Sequence, residues 1–226
     1  MCPVEHKQVF DEIVRKAETG EALTPHLSRL FLETNFHDPL LNDWGIHHLH
    51  LGKNVERDGF VERTGPLLFV FVTQDVFHVL CIRPHKGAWT DEALLEVLLF
   101  NWPHLLAPFE VRGIGAGEPT SAADRAKLRK AGVQVLTTLS NGKCYAPPGG
   151  GVNTAGSNVR LVMQHDRIIK RLRIIESDIR DNLEQKRRQL PAGRSFGTPP
   201  TFHLEIQPDA FMVVEPTADV KFQYSP

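Results

Sequence analysis

The spacing of apolar residues predicts four helices in the first 130 residues of the chain. Apolar positions recur at helical intervals over residues 5–19, 24–33, 90–100 and 121–130. In residues 90–100 they nearly encircle the helix, which is typical of a helix buried on all sides. Proline stands near the start of the second helix, at a position that helices tolerate well.

A different apolar pattern predicts three strands between the second and third helices. Residues 44–51 alternate, which places His48 and His50 on one face of a strand. Residues 67–72 and 76–83 are rich in Val, Phe and Leu and are separated by a short polar turn. These two segments therefore predict a β-hairpin.

The last third of the chain begins with a long predicted helix. A loop rich in glycine and proline over residues 147–156 divides the chain, and a helix is predicted over residues 157–190. Its seam follows a spacing close to a heptad repeat, through Leu161, His165, Ile168, Leu172, Ile175, Ile179 and Leu183. At about 1.5 Å per residue the helix is roughly 50 Å long, which is more than a small domain covers. We therefore predict a homo-oligomer formed through residues 157–190.

These elements together predict an α+β fold. An antiparallel sheet flanked by helices is followed by a long helix and a small C-terminal β element. We expect an α+β domain with a histidine-rich sheet over residues 1–148, an oligomerisation helix over residues 157–190 and a β hairpin over residues 200–226, with a third strand at its end.

Composition and charge narrow the class of protein. Apolar residues make up 41% of the 226 residues and charged residues 23%, which is ordinary for a globular protein. The longest apolar run has six residues, whereas a membrane-spanning helix needs about 20, so we expect no membrane insertion. Three cysteines without a CxxC pair favour a reducing compartment, and we expect a cytoplasmic protein.

The net charge of −1 does not indicate a nucleic-acid-binding protein, but the charge is uneven. Residues 157–190 carry nine basic and five acidic side chains. With no aromatic residue between them, a solvated helix flank is favoured over a surface for stacked bases.

Histidines carry the strongest chemical signal, because seven of the eleven fall between His37 and His104. His48 and His50, two residues apart in a strand, can act together on one ligand. His78 and His85 follow on the neighbouring hairpin and complete the candidate catalytic set. Three interpretations stay open: imidazoles that line a half-buried sheet, acid–base catalysis on an anionic substrate, and ligation of a metal ion.

Basic residues near the ends of the predicted strands favour the second interpretation. Arg63 precedes the central strand, and Arg83 and Lys86 lie at the end of the next one. Neighbouring antiparallel strands bring such groups to one end of a sheet, where guanidinium groups can bind a phosphate. We therefore name these three residues as candidate substrate-binding groups.

Glycine-rich segments indicate turns rather than cofactor sites. The run from Gly113 to Gly117 lacks GxGxxG spacing, and no Gly-Lys-Ser/Thr follows it. Asn141-Gly142 lies between two apolar segments and predicts a second hairpin. We expect no cofactor.

The order of elements over residues 5–100 resembles the small RelE/ParE-type toxins. The order is a helical hairpin, a strand with Trp44 and histidines, Arg63, two apolar strands, and then Arg83-Pro84-His85-Lys86. The mRNA-cleaving members of that family are metal-independent ribonucleases. The resemblance implies that basic and imidazole side chains on the sheet hold the scissile phosphate and exchange protons with the ribose 2′-hydroxyl.

The leading hypothesis is therefore a cytoplasmic, metal-independent ribonuclease of toxin or phage-defence type, with RNA as substrate and an antitoxin or other protein as partner. One alternative is a non-catalytic scaffold or assembly protein that oligomerises through the long helix. The other is a hydrolase whose metal is held by the same histidines.

Overall fold

The computed structural model describes residues 2–33, 36–84, 87, 90–114 and 120–225. It confirms the α+β fold, with antiparallel sheets flanked by helices, a long helix and a C-terminal sheet. The chain divides into two compact units, residues 1–160 and residues 161–226. In the described part of the chain, no helix is long and apolar enough to cross a membrane.

The α-helices are α1 (Lys7–Thr19), α2 (Pro39–Trp44), α3 (Ala93–Asn101), α4 (Pro103–Leu106), α5 (Ala122–Lys130), α6 (Val159–Asp181) and α7 (Leu183–Arg188). The strands are β1 (Ile46–His50), β2 (Pro66–Val72), β3 (Phe77–Pro84), β4 (Thr137–Thr138), β5 (Cys144–Tyr145), β6 (His203–Gln207), β7 (Ala210–Glu215) and β8 (Val220–Tyr224).

The main sheet of the first unit has the order β1-β2-β3, and both pairings are antiparallel. One face, which includes Phe69, packs in a core with Leu94 and Leu98 of α3. The other face, which includes Leu68, packs in a second core with Val9 and Ile13 of α1. The sheet is therefore covered by helices on both sides.

A β-bulge in β3 changes which residues of that strand share a face. Phe69 of β2 lies opposite Cys81, but Val70 lies opposite Val79, so Leu80 is the extra residue. After the bulge, His78 lies opposite Phe71. As a result His78 and Cys81, three residues apart, lie on the same face of the sheet, contrary to simple alternation.

The structure differs from the sequence prediction in the segment that precedes β1, residues 24–45. Residues 24–33 form two 3-10 turns, Thr24–His26 and Arg29–Leu32, in place of one helix. Asp38 caps α2 through its carboxylate, and Pro39 occupies the first helical position. Because α2 extends to Trp44 and Gly45 adopts a left-handed conformation, β1 begins at Ile46.

The predicted hairpin around Asn141-Gly142 is short. Its strands, β4 and β5, have two residues each, with Thr138 opposite Cys144.

In the second unit, the order of the sheet is β6-β7-β8, so the third C-terminal strand is present. Ile175 and Ile179 of α6 pack against Phe211 and Val213 of β7. The C-terminal half of the predicted seam is thus covered by the chain's own sheet, whereas Leu161 and other apolar residues near the start of α6 are exposed. Self-association through residues 157–190 stays a prediction. The apolar residues that support it are those left exposed near the start of α6.

Asp178 connects the helices of this unit to the sheet. Its carboxylate accepts a hydrogen bond of 2.6 Å from the Tyr224 hydroxyl and lies 2.8 Å from Nζ of Lys186. The ammonium of Lys186 in turn lies 5.1 Å from the centre of the Phe222 ring. The hydrogen bonds from Lys186 and Tyr224 lower the pKa of Asp178 to about 2.

We predict that Asp178→Asn lowers the free energy of unfolding of the second unit by about 1–2 kcal/mol at pH 7, because the charge-assisted bonds are lost. The measurement is urea unfolding of the full chain followed by far-ultraviolet circular dichroism, which reports on α6. Asp181→Asn is the matched control, since Asp181 is exposed and its carboxylate accepts a hydrogen bond from the nearby Ser177 hydroxyl.

The same pair of variants carries a pH test. The folded pKa of Asp178 lies below its ordinary value of 3.8, so its contribution is complete above that value and is lost as the pH falls toward 2. The stability difference between wild type and Asp178→Asn should therefore shrink on acidification. A difference that is constant down to pH 2 would contradict this account.

Candidate functional site

His48 and His50 lie side by side on the face of the main sheet that packs under α3. Their rings are 6.5 Å apart in an edge-to-face arrangement, and their side chains are 6% and 7% exposed. Opposite them on β2 lie Phe69 and Leu67. The structure thus confirms that the two histidines share a face, and it places them on an outer strand of the sheet.

Asp38 holds His48 from the start of α2. One carboxylate oxygen accepts the amide hydrogens of Leu40 and Leu41, at 2.9 and 3.1 Å. The other oxygen lies 3.2 Å from Nδ1 of His48. Burial would raise the pKa of Asp38, but the bonds from His48 and the two amides outweigh it, and the net pKa is below the ordinary value. Asp38 is therefore a carboxylate at neutral pH, and it leaves Nε2 of His48 on the far side of the ring.

His50 is fixed through both its backbone and its ring. Its carbonyl lies 2.9 Å from Nδ1 of the buried His26, which must donate the hydrogen because a carbonyl only accepts. The amide of Thr64 points at Nδ1 of His50 at 3.4 Å. An amide donates, so the neutral ring of His50 carries its proton on Nε2. Burial lowers the pKa of His26, which favours its neutral form.

The two candidate arginines lie at the His50 end of the sheet. Arg83 and His50 are both opposite Leu67, one on each side of β2, so they share a face with about 10 Å between their strands. Arg83 is ion-paired with Asp91. Arg63 is exposed and directly precedes Thr64, whose amide contacts His50.

The structure does not bring His78 to the histidine pair. It lies opposite Phe71, four residues further along β2 than Leu67, with its ring 4.9 Å from that of Trp102. Within the part of the chain that the structure describes, Nε2 of His78 is buried without a hydrogen-bond partner. Burial lowers the pKa of His78, and nearby His104 adds to this effect. His85 and Lys86 lie outside the described residues.

An arginine and tryptophan cluster fixes α2 and hence Asp38. The guanidinium carbons of Arg129 and Arg125 lie 4.7 and 5.7 Å from the centre of the Trp44 ring. Arg129 is ion-paired with Asp43 of α2, and Arg125 with Glu92. Both arginines come from α5, so this helix clamps the end of α2 from which β1 starts.

Sequence reasoning missed Asp38, His26 and this cluster. The Asp38-Pro39 pair is a recognisable helix start, and it was the one signal available for the carboxylate. His26 and the α5 arginines reach the site only through tertiary packing.

Among the described residues, no group of three His, Cys, Asp or Glu side chains is placed to hold a metal ion. The three cysteines are free thiols. Comparison with protein-family models, curated proteins and solved structures finds no match to the chain.

We predict that His78→Phe makes the fold less sensitive to acid between pH 7 and pH 5. The folded pKa of His78 is lowered, so the unfolded chain binds the proton first and stability is lost as the pH falls through the ordinary value of 6.5. Phenylalanine keeps the contact with Trp102 and removes this loss. The measurement is thermal unfolding across that pH range.

The control is His165→Gln, since His165 is exposed and lies beside the equally exposed Asp166. It should leave the pH dependence of unfolding unchanged. A His78→Phe protein with the same acid sensitivity as wild type would contradict the structural role given to His78.

Proposed function

We propose that this protein is a metal-independent ribonuclease in which His48 and His50 exchange protons with the RNA backbone. The observation that carries the proposal is the pair of adjacent imidazoles on one sheet face, one of them held by the Asp38 carboxylate. Imidazole titrates near neutral pH, so the same residue type can serve as acid or base.

The environments of the two rings favour different roles. His48 takes the proton of the ribose 2′-hydroxyl, because the adjacent Asp38 carboxylate stabilises the imidazolium that forms. The 2′-oxygen then attacks phosphorus and forms a 2′,3′-cyclic phosphate as the bond to the 5′-oxygen breaks. His50, in its imidazolium form, gives a proton to that leaving oxygen and becomes a neutral imidazole.

Arginines at the same end of the sheet supply the positive charge that this reaction needs. Charge accumulates on the phosphoryl oxygens in the transition state, where guanidinium groups bind through paired hydrogen bonds. Arg83 shares the face of His50, and substrate competes with Asp91 for it. Arg63 is exposed and directly follows Glu62 on the approach to β2, so it can contact RNA in solution without displacing a buried partner.

The likeness of residues 5–100 to RelE/ParE-type toxins supports a toxin or phage-defence role and an antitoxin-like protein as partner. A cytoplasmic location fits this role, because the substrate is there and free thiols persist there.

We predict that His48→Ala and His50→Ala each lower RNA cleavage by about a hundredfold or more, the usual effect of removing a general acid or base. The measurement is cleavage of end-labelled single-stranded RNA, with detection of the cyclic phosphate product. His165→Ala is the control and should keep wild-type activity, since this exposed histidine lies on α6.

The same assay separates the alternative functions. A metal hydrolase would lose activity to EDTA, whereas the proposed enzyme would not. Folded His48→Ala and His50→Ala proteins that cleave RNA at the wild-type rate would refute the proposal. A scaffold protein would show neither cleavage nor a histidine effect.

Asp38 is a positioning residue in this mechanism, and two substitutions separate its contact with His48 from its role as a helix cap. Asp38→Asn keeps the helix cap but loses the negative charge beside His48, whereas Asp38→Ala loses both. Both variants should lower kcat about tenfold or more without raising KM. Only Asp38→Ala should also lose about 1 kcal/mol of stability. Equal kcat in wild type and Asp38→Asn would remove Asp38 from the mechanism.

A further inference from the structure

β6 is an outer strand of the C-terminal sheet, and its exposure is unusual. All five of its residues are exposed, including Leu204 at 41% and Ile206 at 68%. Its inner edge pairs with β7, so its outer edge presents backbone donors and acceptors in a row. An exposed apolar edge of this kind is a template for pairing with another strand.

The apolar side chains of β6 belong to the inner face of the sheet. Leu204 lies opposite Val213, and Ile206 lies opposite Phe211. Val213 and Phe211 are buried against α6, so the inner face continues from a covered region onto an uncovered one. Helix α6 covers the part of this face formed by β7 and β8, whereas the part formed by β6 is exposed in the described part of the chain.

We infer that two copies of the chain pair through β6, antiparallel, about a two-fold axis at Leu204, to form a continuous six-stranded sheet. This register places Leu204 opposite its own copy and Ile206 opposite Phe202. On the outer face it forms two symmetric pairs, each with His203 of one copy opposite Glu205 of the other. Apolar groups thus meet on one face, and an imidazole meets a carboxylate on the other.

The neighbouring registers are less favourable for reasons that can be read from the strand. An axis at Glu205 sets two carboxylates directly opposite each other, which is destabilising. An axis at Ile206 sets Leu204 opposite Pro208, which has no amide hydrogen for the ladder. An axis at His203 sets Ile206 opposite Pro200, which likewise has no amide hydrogen. Self-pairing therefore favours the axis at Leu204.

The contact is short, with five residues from each copy, and interfaces of less than about 1,200 Å² belong to weak and transient associations. The dimer should accordingly depend on concentration. The inference does not rest on the proposed ribonuclease activity. It is an alternative to the contact through the exposed apolar residues of α6, and the variants below distinguish the two contacts.

The first test is sedimentation velocity of the full chain at increasing concentration. Wild type should pass from monomer to dimer, and Leu204→Lys should stay monomeric, because it sets two ammonium groups at the axis. Gln223→Lys adds the same charge on the exposed side of β8 and should dimerise like wild type. Ile168→Lys, on α6, should also dimerise like wild type. A wild-type chain that is monomeric up to about 1 mM, or a dimer lost in Ile168→Lys and kept in Leu204→Lys, would overturn the inference.

The second test fixes the register and does not depend on the folding of Leu204→Lys. In a Cys2→Ser background, Leu204→Cys should form an intermolecular disulfide under mild oxidation. Ile206→Cys should not form one. Residue 206 lies two positions from the axis in each copy, so the two introduced cysteines are about 14 Å apart along the strands. Crosslinking of Ile206→Cys with none of Leu204→Cys would contradict the proposed axis.

Discussion

The central strand β2 is the constraint on which the first unit depends. From Leu67 to Val70 its side chains are apolar and almost wholly buried on both faces. A strand of this kind has to be covered twice, and α1 and α3 supply the two layers. His48 and His50 share the face that α3 covers, and on the outer strand β1 they keep 6% and 7% of their surface exposed.

That enclosure shapes the candidate chemistry. Buried imidazoles need defined partners, and here Asp38 and the Thr64 amide orient the two rings. Asp38 is itself held by the helix it caps, and that helix is clamped through Trp44 by two arginines of α5. Arg125 and Arg129, distant in sequence from β1, thus help to fix the orientation of the His48 ring through α2 and Asp38. Low exposure also strengthens the electrostatic effect of each neighbouring charge.

The sequence predicted what local patterns encode. Continuous apolar runs located β2 and β3, and helical spacing located α1, α3 and α5. The bulge at Leu80 could not be foreseen, because it depends on how two strands align and not on either alone. For α6, periodicity identified Ile175 and Ile179 as apolar seam residues, but it did not show that the chain's own sheet would cover them. The predicted pair of His48 and His50 followed from strand alternation, whereas Asp38 and His26 entered through contacts between elements.

The bulge has a consequence for how this strand can change in evolution. A deletion of Leu80 would remove the extra residue and restore regular pairing, with Val79 still opposite Val70 and His78 still opposite Phe71, so the segment from Phe77 to Val79 would keep its faces. The part of β3 from Cys81 to Pro84, beside His50, would keep its orientation. Leu80 is therefore a position where β3 can lose one residue without turning any other side chain to the opposite face of the sheet.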